Sequence, residues 1–166
     1  MMFYVAHTRM EGGMRAVSKV RNFPELVVDE PAMLGGTDTG MTPAEALLSS
    51  IGSCQGIMLS NYAKIMDIKL DEVEITTYGD IDFQGMLAID DNVPPGFTEI
   101  TFETHIKSKA DPEKLSDLIS LAQTHCPMLD TIARPVPISS KAYCNGELVN
   151  DAEAVVPKSK KPRSIK

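Results

Sequence analysis

Thr42-Pro43-Ala44-Glu45 opens a run, TPAEALLSSIGSCQGIMLSNYAKIM, that ends at Met66. Thr42 suits a helix N-cap, Pro43 the first helical position, and Glu45, three residues after Thr42, completes a capping box. Beyond that start, Leu47, Ile51, Cys54 and Met58 share one helical face, while Leu48, Leu59, Tyr62 and Met66 fill others. A helix that is apolar nearly all round is buried nearly all round. Gly52 and Gly56 lie inside it, and each costs about 1 kcal/mol relative to alanine. Close approach of another backbone is the simplest offset, and in so small a chain it points to a second subunit.

On the N-terminal side, residues 14–20 and 25–29 are expected as strands joined by a turn at Asn22-Phe23-Pro24. The loop over 31–41 carries Gly35, Gly36 and Gly40 but lacks the spacing and the lysine of a phosphate-binding loop. On the C-terminal side, Val73, Ile75, Thr77, Gly79, Ile81 and Phe83 alternate with polar residues, as a half-buried strand does. A turn over 92–96 leads to a second alternating run at Thr98, Ile100, Phe102, Thr104 and Ile106, expected antiparallel to the first. Asp111-Pro112-Glu113 opens another helix, with Leu115, Leu118, Ile119 and Ala122 as its apolar stripe and Pro127 as its end. Val136, Ile138, Ser140, Ala142 and Cys144 alternate into a last strand. The order strand, strand, helix, strand, strand, helix, strand, with hairpin connections, is α+β with an antiparallel sheet. Residues 1–154 are expected as one domain and 155–166 as a basic, disordered tail.

Composition narrows the function. Of 166 residues, 43 % are hydrophobic and 23 % charged, ordinary for a soluble globular chain. A net charge of −7 argues against nucleic acid and against an anionic membrane surface, both of which select a basic face. No apolar stretch reaches the roughly 18 residues of a membrane span, and the first residues lack a signal-peptide pattern. A cytoplasmic location is expected, where thiols are kept reduced.

Three cysteines are an odd number with no disulfide-framework spacing and no C-x-x-C, which a thioredoxin-like enzyme would need. Cys54 lies mid-helix and Cys126 at the end of the second helix, so each is held rigidly. Two readings of Cys54 stand side by side. It is a small core residue, or it is half of a working dithiol. Nothing in its helix lowers its pKa, since the helix dipole acts only near the ends. A reactive Cys54 therefore needs a cation from elsewhere, and Arg21 and then Arg15 are the candidates. A helix C-terminus disfavours a thiolate, so Cys126 suits the slower, resolving role. His125 reads more simply as a helix-end cap and Cys144 as packing in a terminal strand; Glu45 is the capping-box acid, and its place as a candidate catalytic residue is an addition to that role. His7, His105, His125 and the cysteines show no paired ligand spacing, so no metal or cofactor is expected.

The segment from Thr42 to Cys54, and the segment HCPMLDTIARPVP from His125 to Pro137, resemble the two cysteine motifs of the OsmC/Ohr family of osmotically inducible and organic-hydroperoxide-resistance proteins. The similarity runs from about Met14 to Ala142. The resemblance implies an intertwined homodimer, with long central helices wrapped by antiparallel sheets. It also implies thiol-dependent reduction of hydroperoxides, with Cys54 peroxidatic, Cys126 resolving, an N-terminal arginine (Arg21, or Arg15) beside Cys54, and an external dithiol as reductant. In organic-peroxide members an acid follows the helix-opening Pro directly. Here Ala44 holds that place and Glu45 comes one residue, about 100°, later. The chain therefore looks closer to the broad OsmC-like branch. The rival reading is a non-enzymatic dimer that binds an apolar small molecule and keeps its cysteines structural.

Overall fold

The expected capping box forms as an exchange of two hydrogen bonds. Glu45 Oε2 accepts from the Thr42 amide at 2.7 Å, and Thr42 Oγ1 accepts from the Glu45 amide at 3.2 Å. The structure, a computed structural model, describes residues 2–152, so the basic tail expected over 155–166 lies outside it. The helix opened by that box, α1, spans Pro43–Ile65. The chain divides into two compact units, one ending at Ser53 and the other beginning at Cys54. Antiparallel sheets and helices build both, as the α+β reading expects.

In the first unit β1 (His7–Gly12), β2 (Arg15–Lys19) and β3 (Leu26–Val28) form an antiparallel sheet in that order. The strands expected over 14–20 and 25–29 are β2 and β3. β1 was not legible, because its residues are exposed throughout and carry no apolar alternation. After β3 the chain folds around one buried carboxylate. Asp29 is 1 % exposed and accepts from the amides of Glu30, Thr37 and Thr39 and from both threonine hydroxyls, at 2.5 to 3.3 Å. The loop glycines serve this fold, not a phosphate. A Cβ on Gly36 would stand 1.7 Å from the Glu30 carbonyl oxygen.

Those donors, the Thr37 hydroxyl foremost, hold the Asp29 carboxyl well below the usual carboxylate range. The folded pKa is depressed below the unfolded value of about 3.9, so the clasp contributes stability above that pH and loses it as pH falls. Asp29→Asn is therefore expected to unfold at lower urea than wild type at pH 7. The gap should narrow below about pH 4. Equal midpoints at pH 7 would show that the clasp adds nothing.

In the second unit β4 (Leu70–Ile81) and β5 (Phe97–Ser108) pair antiparallel along their length, Ile75 opposite Thr104 and Thr77 opposite Phe102. Their half-buried faces meet α1 and α3 (Pro112–Thr124). Leu59, Ala63 and Ile68 pack with Leu118 and Ala122, and Val73, Ile75 and Ile106 close over them. The strand expected to include Phe83 stops at Ile81 instead. The Asp82 carboxylate accepts from the Gln84 amide and caps a short helix, α2 (Phe83–Met86).

Pro127 requires a second correction. It does not merely end α3; it starts α4 (Pro127–Ala133), with Cys126 as N-cap. The last expected strand begins only at Ser140, as β6 (Ser140–Cys144), because Pro135 and Pro137 have no amide to give a ladder. β6 pairs with β7 (Glu147–Ala152) through Asn145-Gly146, both at positive φ, the turn chemistry of a tight hairpin. β6 is exposed at every position, Cys144 included, so the reading of Cys144 as packing is corrected.

Candidate functional site

Cys54 projects from the middle of α1, half-buried, and Cys126 from the α3–α4 junction, 1 % exposed. They stand 72 positions apart in sequence (54 to 126), yet the fold brings their side chains near enough for Cys126 to act on the Cys54 thiol. Both thiols are free. α3 fixes one end of this arrangement, because Leu118 and Ala122 bind it to Leu59 and Ala63, further along the helix that bears Cys54.

The α4 start shapes the site. Proline at the first helical position has no N–H, so the first amide that α4 can offer is that of Met128. It donates to the Cys54 sulfur. Burial pushes the Cys54 thiol up, and Cys126 adds to this through its hydrogen bond and charge; the Met128 amide works in the opposite direction. The balance is upward, as the sequence expected of a thiol mid-helix with no cation in its own helix. The sequence placed Cys126 at a helix C-terminus only. It also heads α4, a dual position that the motif His125-Cys126-Pro127 encodes through its proline.

His125 is a helix-end cap. Its Nδ1 lies 3.0 Å from the Leu121 carbonyl, which only accepts, so that nitrogen carries the proton. Its ring tilts against Tyr62 with centroids 5.6 Å apart.

The remaining candidates belong to the first unit. Arg21 sits at positive φ in the β2–β3 turn, exposed, its guanidinium 4.5 Å above the Phe23 ring. Arg15, half-buried in β2, donates to Thr39 Oγ1 at 3.2 Å and pairs with Glu11. Glu45 is engaged in the helix cap. Arg21 has no ion pair among the described residues, whereas Arg15 already has a carboxylate partner.

Two groups near Cys54, one in space and one in sequence, escaped the sequence reading. One is the Met128 amide, a backbone group that no residue type announces. The other is Gln55, a buried polar residue beside Cys54 in an otherwise apolar row. Among the described residues no group of three or more His, Cys, Asp or Glu is placed to hold a metal ion. No helix among them is long and apolar enough to cross a membrane.

The family model described as OsmC-like protein matches residues 36–141. No curated protein matches the chain. Among solved structures, an OsmC-like protein from Mycoplasma pneumoniae is 17 % identical with a TM-score of 0.68, over 80 % of this chain and 88 % of that one. An organic hydroperoxide resistance protein OsmC from Legionella pneumophila is 18 % identical with a TM-score of 0.61, over 80 % and 91 %. An organic hydroperoxide resistance protein from Elizabethkingia anophelis, with thiocyanate bound, is 24 % identical with a TM-score of 0.59, over 78 % and 88 %. Likeness at these identities is likeness of fold.

Proposed function

The chain belongs to the OsmC-like family, and on that premise we propose that it is a thiol-dependent peroxidase that reduces organic hydroperoxides. The observation that carries the reading is that the fold brings two free thiols, Cys54 and Cys126, near enough for one to act on the other. Two structural neighbours named for hydroperoxide resistance support it. Cys54 attacks the O–O bond, the alcohol leaves, and a sulfenic acid remains. Cys126 condenses with that acid to a disulfide and releases water. An external dithiol restores both thiols. No metal or cofactor enters the scheme, and the reaction is placed in the cytoplasm. Because burial raises the Cys54 thiol, the scheme requires a cation. The family resemblance puts Arg21 first for that role and Arg15 second; Glu45 holds the helix start.

The direct test is to add less than one equivalent of cumene hydroperoxide and map the cysteines by mass spectrometry. A Cys54–Cys126 disulfide is expected. One observation favours the rival binding module: the upward shift of Cys54 is also what an inert core thiol shows. Free thiols after peroxide would establish that rival.

The assembly is a homodimer in this reading. Ile57 and Ile65 on α1, and Tyr143, Leu148 and Val149 on the β6–β7 hairpin, are large apolar groups left exposed by the single chain. Gly56 supports it further. A Cβ there meets only Ile75 Cδ1 at 3.7 Å among the described residues, an ordinary contact, so the chain's own packing does not require glycine. Gly56→Ala should gain about 1 kcal/mol of helix propensity in a lone chain. In a dimer packed on that glycine it shifts sedimentation toward monomer at micromolar concentration. A fully dimeric variant with a raised Tm would place the interface elsewhere.

A further inference from the structure

On α1, Ile51, Gln55, Leu59 and Ala63 follow one another at one-turn steps, and all four are buried. Three are apolar. Gln55 is 2 % exposed, and its Nε2 has no hydrogen-bond acceptor among the described residues. A buried amide with an unmade donor is destabilising, and methionine, of similar length, would remove that burden. Gln55 directly follows Cys54, and the two side chains leave the helix about 100° apart. The two residues thus place a thiol and an amide on adjacent faces of one helix turn.

We propose that the Gln55 amide is a substrate-binding donor, receiving the hydroperoxide oxygen that departs when Cys54 attacks. This rests on the peroxidase reading. In the step, the sulfur–oxygen bond forms and the O–O bond breaks. The sulfur is oxidised, the peroxide is reduced, and the proton of the Cys54 thiol ends on the departing oxygen as R–OH. Gln55 keeps its own hydrogens and stabilises the negative charge that builds on that oxygen. The substrate class is a hydroperoxide with an apolar body, whose inner oxygen is its one acceptor away from the sulfur.

The experiment compares the full chain with Gln55→Met, and with Gln55→Leu should the first not fold, both in a Cys144→Ser background that removes the exposed thiol. Three quantities are read: thermal midpoint, alkylation of Cys54 by iodoacetamide with and without cumyl alcohol, and reduction of cumene hydroperoxide with dithiothreitol. The variant is expected to melt no lower than its parent and to alkylate within about twofold of it. Cumyl alcohol should protect Cys54 in the parent and not in the variant, and peroxide reduction should fall about tenfold or more. A lower melting point would reveal a structural partner for the amide and overturn the assignment. So would alkylation slowed in parallel with reduction, or an alcohol that protects both proteins alike or neither. If the parent reduces no hydroperoxide while the alcohol still protects it and not the variant, the peroxidase reading falls and the donor assignment stands.

Discussion

Cys54→Ser loses hydroperoxide reduction, by about a thousandfold or more, with little change in Tm. Serine nearly matches cysteine in volume, and the position is only half-buried, so packing survives while the nucleophile goes. Cys126→Ser behaves differently. It reacts once per chain and stalls as a sulfenic acid that dimedone traps, because the resolving thiol is gone. In wild type the rate climbs from pH 7 toward pH 9. Burial raises the Cys54 thiol, so its thiolate fraction is still growing across that range. Arg21→Ala slows reduction at pH 7 by roughly tenfold if its charge serves the thiolate. Unchanged turnover in Cys54→Ser ends the peroxidase reading. Unchanged turnover in Arg21→Ala removes Arg21 from the cation role, and the same measurement on Arg15→Ala then decides between Arg15 and neither.

Leu118→Ala costs about 3 kcal/mol of stability, the cost of a cavity in a closed core, and lowers Tm by roughly 6–12 °C. Leu118 is fully buried against Leu59 and Ala63 of α1. The same contact holds α3, and with it the junction bearing Cys126. Formation of the Cys54–Cys126 disulfide should therefore slow in the variant even at temperatures where it stays folded. Calorimetry gives the first quantity and timed thiol quenching the second. A stability change under 1 kcal/mol would mean that α3 is not seated as described.

Sequence and structure agree where the signal is local. The reciprocal bonds of Thr42 and Glu45, the N-cap at Asp111 and the alternation through β4 and β5 are short-range, and each was legible from residue order. The misses have local causes too. Asp82 captures the Gln84 amide and turns Phe83 out of its expected strand. Pro135 and Pro137 delay the last strand, and the exposed β1 and β7 carry no buried face to read. Family membership was also legible, from two short cysteine motifs.

By itself the sequence determined the α+β class, the long apolar helix, its cap and the two cysteines worth watching. Each of these rests on neighbours within a turn or a strand. Only the tertiary structure decided that Cys126 and the Met128 amide come near the Cys54 thiol, that Asp29 is enclosed by five donors and that the Gln55 amide is buried without an acceptor among the described residues. Those facts depend on the packing of α3 against α1 and on the path of the loop after β3. Contacts of that kind join residues far apart in the chain, and no periodicity along it records them.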